Sequence, residues 1–161
     1  MTDLPATNRT MLTEVKPEGV LELYLADLPM PTPKDHEVVV NVQATPINPS
    51  DLGLMVGAAD VTSARAIDRD GLPGIAMNVP EAGMRFMAGR IGQALPIGNE
   101  GCGVVVAAGA SPEAQALMGK TVALIGGEIY AQYRCLAAQM CMPLPEGTAP
   151  EDGASCFVNP L

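Results

Sequence analysis

The sequence predicts a mainly β fold with short helices, arranged as a partly open β-barrel. Gly (17) and Pro (15) make up about a fifth of the 161 residues, which favours strands and tight turns over a helical bundle. Short apolar, β-branched runs recur between turn signals along the chain. No apolar run reaches the ~18–20 residues of a membrane-spanning helix. The length itself is that of about one domain, long enough to bury a core without disulfide staples.

Taken in order, Thr10–Val15 and Val20–Leu25 read as strands, followed by Glu37–Ala44 (Glu-Val-Val-Val-Asn-Val-Gln-Ala). The last has β-branched residues on both faces and is expected at the centre of a sheet. Pro31, Pro33 and Lys34-Asp35 supply the turn before it. Ser50 can cap a short helix over Asp51–Val56. Residues 58–96 are less regular and hold four of the nine basic residues, Arg65, Arg69, Arg85 and Arg90. Within them, Met84, Met87 and Ile91 recur at helical spacing, which predicts a helix over 80–93. That helix is read either as packed on the core or as a lid over a site.

Gly101–Ala107 is a glycine-led strand closed by a turn at Gly109–Pro112. Thr121–Ile125 and Tyr130–Ala137 read as a hairpin about Gly126-Gly127. Thr148-Ala-Pro-Glu151 fits a capping box and predicts a helix over 149–158. The chain stops inside an apolar segment at Pro160-Leu161, which suggests that a further part is missing.

Charge and composition exclude several functions. Charged residues are 17% and hydrophobic residues 48%, so general disorder is ruled out. A net charge of −9 repels nucleic acid and anionic lipid, and neither is expected as a partner. No Trp and only two Phe and three Tyr leave no stacking platform for single strands. The first residues lack the basic and apolar regions of a signal peptide, so a cytoplasmic protein is expected. Cys102, Cys135, Cys141 and Cys156 are too irregularly spaced for a disulfide framework and read as reduced, mostly buried thiols.

Several familiar motifs fail on inspection. Gly101-x-Gly103-x-x-Val106 lacks the third glycine of a dinucleotide fingerprint and opens a strand. Gly119-Lys120-Thr121 has Ala114 where a phosphate loop requires glycine. Gly153-Ala-Ser155-Cys-Phe157 ends in Phe where a nucleophile elbow needs glycine. A single histidine, His36, makes a Ser-His-Asp triad or a histidine-rich metal site hard to build.

One ordered set of segments does fit. It runs from Glu37–Gly57, with Asn-Pro-Ser-Asp inside it, through Pro96-Ile-Gly-Asn-Glu-Gly-Cys-Gly-Val-Val-Val-Ala-Ala-Gly109. Gly119-Lys-Thr-Val, Gly127-Glu-Ile-Tyr-Ala-Gln-Tyr133, Leu144-Pro-Glu-Gly147 and Ala154–Leu161 follow. Together they resemble the GroES-like catalytic domain of the medium-chain dehydrogenase/reductase superfamily, in its zinc-free quinone oxidoreductase and enoyl reductase branch. The resemblance covers residues 10–161, with a partly helical insertion at 58–96. It implies a GroES-like domain over 1–161, with the nucleotide-binding Rossmann domain absent from this chain.

The resemblance also implies chemistry. Zinc-dependent members have cysteine and histidine where this chain has Asn48 and Asn99. Amides are poor zinc ligands, so no metal is expected. Asn48 and Asp51 match residues that line a nicotinamide pocket and are the candidate catalytic residues. Asn48, Asp51 and Asn159 are the candidate cofactor-binding residues, though Asn48 also suits a turn and Asp51 a helix first turn. Met55, Met84, Phe86 and Met87 are candidates for an apolar substrate surface. Tyrosines that similar enzymes carry fall at Gly53 and Ala59, which leaves the proton donor unidentified.

The implied activity is metal-free hydride transfer from NADPH or NADH to a quinone or other activated alkene or carbonyl. In the complete enzyme the cofactor would bind in part to the Rossmann domain, so none is expected on this chain alone, which would be inactive by itself. A small-molecule substrate and a homodimer of the complete protein are the implied partners. Two other readings stay open: a stand-alone GroES-like binding or co-chaperonin-type module, and a catalytically inactive reductase-like interaction protein.

Overall fold

The computed structural model describes residues 4–159, so the apolar end at Pro160-Leu161 lies outside the described residues. Strands dominate, the helices are short, and neither of two five-stranded antiparallel sheets closes into a barrel. No helix among the described residues is long and apolar enough to cross a membrane. The chain divides into two compact units.

Among the described residues, the first unit takes in 4–9, 27–48 and 98–159. Its sheet is built from β3 (Glu37–Ala44), β7 (Glu100–Ala108), β8 (Thr121–Ile125), β9 (Tyr133–Ala137) and β10 (Cys141–Pro143), in the order β10-β8-β7-β3-β9. As the two-faced apolar pattern of Glu37–Ala44 predicts, β3 lies inside the sheet, and Val38, Val39 and Val40 are fully buried. Val38 and Val40 pack with Val105, Val122, Leu124, Ile129 and Leu136.

The hairpin expected about Gly126-Gly127 does not form. β8 pairs with β7 and β10, while β9 pairs with β3 on the far side of the sheet. Gly126, Gly127 and Glu128 all take positive φ, and the loop they form crosses the sheet end instead of folding back. Ile129 is fully buried beneath this crossing, a hydrophobic anchor that a two-residue turn would not supply. The predicted strand from Tyr130 accordingly begins only at Tyr133.

The second unit takes in residues 10–26 and 49–97. Its sheet runs β4-β5-β2-β1-β6, from β1 (Thr7–Lys16), β2 (Val20–Pro29), β4 (Asp60–Arg69), β5 (Leu72–Asn78) and β6 (Ala94–Pro96). Residues 58–96, expected to be partly helical, carry strands as well. They hold a hairpin that supplies two of five strands, turned at Asp70 (φ 55°) and Gly71 (φ 83°). Two consecutive left-handed residues match the right-handed twist of the flanking strands. On this sheet the Arg69 guanidinium stacks 4.2 Å over the Tyr24 ring and pairs with Glu22.

The helices expected over 80–93 and 149–158 are both shorter than their patterns predict. α1 spans Pro49–Met55, with Ser50 inside its first turn. α2 is Glu81–Phe86, followed by a separate 3-10 turn at Ala88–Arg90, because Met87 leaves helical geometry (φ −95°, ψ 13°) ahead of Gly89 and Gly92. α3 (Pro112–Gln115) follows Ser111, whose side chain accepts from Ala114 N. α4 covers only Pro150–Gly153. Its expected capping box is absent: Thr148 donates its hydroxyl to Pro145 O at 2.7 Å, and the helix starts without a side-chain cap.

Candidate functional site

In the first unit, β3 ends at Ala44 and the chain continues through Thr45-Pro46-Ile47-Asn48. Pro46 and the following Pro49 hold this stretch extended, and Tyr130 donates its hydroxyl to Pro46 O at 2.8 Å. Asn48 is thereby carried into the interior, with 3% of its surface exposed.

There it meets Glu100, the first residue of β7, which is 1% exposed. A carboxylate at that depth is tolerable only when its oxygens are hydrogen-bonded. Glu100 Oε1 accepts from Asn48 Nδ2 at 3.1 Å. Its Oε2 accepts from the backbone N–H of Phe157 at 2.8 Å and of Val158 at 2.9 Å. Asn159 then donates from Nδ2 to Asn48 Oδ1 at 2.6 Å. Charge-assisted bonds of this kind are roughly twice as strong as neutral ones. They also explain why α4 stops early: the N–H groups at 157 and 158 turn to the carboxylate instead of continuing a helix.

Beside this network the Cys102 thiol packs against Gly153, where a Cβ would sit 2.8 Å from the sulfur. Burial raises its pKa to about 11, and burial raises Cys141 to about 12. Neither is poised as a nucleophile near neutral pH.

The sequence places Asn48 and Asn159 in one site, and the structure brings their side chains into direct contact. Asp51 belongs to the other unit, buried in the first turn of α1 at 2% exposure. The C-terminal end of that helix is closed by side chains. Arg90 Nη2 donates to Leu54 O at 2.8 Å and to Thr13 Oγ1 at 2.9 Å, while Thr13 donates its hydroxyl to Met55 O at 3.1 Å. A cation there is favoured by the partial negative charge of the helix end. Burial holds the Arg90 guanidinium below the usual arginine pKa.

The four apolar candidates, all in the second unit, differ in exposure. Met87 is 3% exposed and packs over Gly57, where a Cβ would meet its sulfur. Met55 and Met84 are half-buried. Phe86 is 83% exposed, an open apolar surface at the end of α2. The other three arginines of 58–96 are engaged within the unit: Arg65 with Asn78, Arg69 with Glu22, Arg85 with Glu81.

Glu100 was not among the residues singled out by sequence. Its signal lies in its surroundings: one acid between Ile97 and the apolar run from Cys102 must be buried, and a buried acid must be partnered. Among the described residues no group of three His, Cys, Asp or Glu side chains could hold a metal ion.

No family model and no curated protein sequence matches the chain. Solved structures do. A protein from Mesorhizobium loti described as an NADPH:quinone reductase aligns over 98% of this chain, with 24% identity and a TM-score of 0.63. One from Bacillus thuringiensis with the same description aligns over 97%, with 25% identity and a TM-score of 0.64. A mycobacterial protein solved with NADPH aligns over 94%, with 21% identity and a TM-score of 0.57. This chain spans 42%, 39% and 36% of those three proteins, respectively. It has the fold of a GroES-like domain of the medium-chain dehydrogenase/reductase superfamily, with proteins described as quinone reductases among its structural neighbours.

Proposed function

We propose that this chain is the substrate-side part of a metal-independent, nicotinamide-dependent reductase that acts on quinones or other activated alkenes and carbonyls. The observation that carries the reading is the Asn48–Glu100–Asn159 network. It occupies the segments that resemble the site of quinone reductases, and it commits the Asn48 amide where metal-dependent relatives place a metal ligand.

Zinc does not fit. Both polar atoms of Asn48 are engaged, Nδ2 by Glu100 and Oδ1 by Asn159, and an amide so committed offers a metal nothing. The residues do suit a neutral ring with a carboxamide. Asn159 is exposed and keeps hydrogen-bonding capacity beyond its bond to Asn48. Bound NADPH or NADH would supply the hydride. The chain's own share is to orient that ring through fixed amides. A homodimer of the complete protein and a cytoplasmic location belong to the same reading.

The test is steady-state oxidation of NADPH by the protein in its full coding length, across quinones and α,β-unsaturated carbonyls. Turnover with at least one class is expected, unchanged by a zinc chelator. Turnover that needs added zinc contradicts the metal-free part. No turnover with any acceptor favours the inactive, interaction-protein reading, to which the glycine and alanine at positions 53 and 59 also point.

A further inference from the structure

An asparagine amide presents an acceptor on one side and a donor on the other, and its neighbours decide which way it faces. Around Glu100 that decision is forced. Oε2 takes the N–H groups of Phe157 and Val158, donors fixed by the backbone. Oε1 can only accept, so Asn48 must turn Nδ2 toward it. Asn48 Oδ1 is left facing Asn159, which must answer with its own Nδ2.

We propose that Glu100 is a positioning residue that sets the donor–acceptor polarity of the Asn48–Asn159 pair. The exposed member, Asn159, then carries its carbonyl oxygen on the side away from the network. Resting on the nicotinamide-facing reading above, this polarity favours a ligand group that brings an N–H, such as a carboxamide, over a carboxylate.

Glu100→Gln is close to isosteric and inverts the chain of bonds. The glutamine oxygen must serve the two backbone N–H groups, its Nε2 then faces Asn48, and both asparagine amides turn over. Through-hydrogen-bond scalar couplings in isotope-labelled protein read this directly. They are expected from Asn159 Nδ2 to Asn48 Cγ in the unaltered chain, and from Asn48 Nδ2 to Asn159 Cγ in E100Q. The same direction in both proteins overturns the proposal.

A rescue experiment reads the same polarity without spectroscopic assignment. Asn159→Asp sets a carboxylate against Asn48 Oδ1 and is expected to lower the Tm by about 5 °C. In E100Q/N159D, Asn48 offers Nδ2 to the new carboxylate, and most of that loss should return. Additive losses would mean independent residues and overturn the proposal. If E100Q alone does not fold, a folded double variant supports the proposal and an unfolded one overturns it. Titration with nicotinamide mononucleotide and nicotinic acid mononucleotide separates the two readings. Inverted couplings, with neither compound shifting the Asn159 side-chain signal, keep the polarity and remove the nicotinamide-facing role.

Discussion

Asn159 donates its side-chain amide to Asn48 over 2.6 Å, although 111 positions separate them in the chain. The contact exists because Glu100 holds both ends: it takes the Asn48 amide on one oxygen and the backbone just before Asn159 on the other.

Removing that carboxylate should therefore be costly. Glu100→Ala takes the acceptor from two backbone N–H groups, each worth about 1–3 kcal/mol when left unpaired in the interior, and one bond from the Asn48 amide. A loss of about 4 kcal/mol in urea unfolding is expected, in the range for breaking a buried charged contact. Glu81→Ala is the contrast. Its 2.7 Å pair with Arg85 joins side chains 86% and 71% exposed, and the change should stay under about 0.5 kcal/mol.

Arg90→Ala removes the side chain that closes the C-terminal end of α1. A destabilisation of about 2 kcal/mol is expected from the two lost hydrogen bonds and the exposed helix end. Amide exchange should quicken first at Val56 and Gly57, whose N–H groups bond Leu52 O in the last turn of that helix. Uniform quickening across the second unit, with no local excess there, would contradict a capping role.

Gly103→Ala should unfold the first unit. β7 runs so close to β3 that a Cβ at position 103 would collide with the carbonyl of Asn41, a backbone atom that cannot step aside. Both strands lie inside the sheet, so a loss of about 3 kcal/mol or more is expected by chemical unfolding.

Stability should also fall at high pH. Cys102 and Cys135 are raised from 9.0 to about 11 and Cys141 to about 12, in each case chiefly by burial. The unfolded chain loses these thiol protons first, so the stabilisation is present below pH 9 and is lost as pH climbs from 9 through about 11 to about 12. Urea midpoints should decline across that window from these thiols. In the triple variant C102A/C135A/C141A that part of the decline should disappear.

Much of the fold was legible because its signals are local. Glu37–Ala44 and Thr121–Ile125 show their strands at the predicted boundaries. Strand partners were not, since pairing depends on where a loop's hydrophobic anchor lands. Gly126-Gly127 looks like a hairpin, yet buried Ile129 draws the chain across the sheet. The opposite error occurred at Asp70-Gly71. This Asp-Gly pair is among the strongest short-range hairpin signals, yet the strands on either side of it went unread, while the methionine periodicity further on marked a helix that forms only in part. For the site, the matching motifs drew attention to Asn48 and Asn159. Glu100 stood beside them unread, because no periodicity marks a lone buried acid.

Asn48→Ala in the full-length protein tests the central claim most directly, with kcat/KM for NADPH and a quinone measured beside the Tm. The account predicts at least a tenfold fall in kcat/KM in a variant that still folds, because the amide fixed by Glu100 no longer orients the cofactor ring. An unchanged kcat/KM in a folded protein would contradict it and leave the Asn48–Glu100–Asn159 network a purely structural fastening.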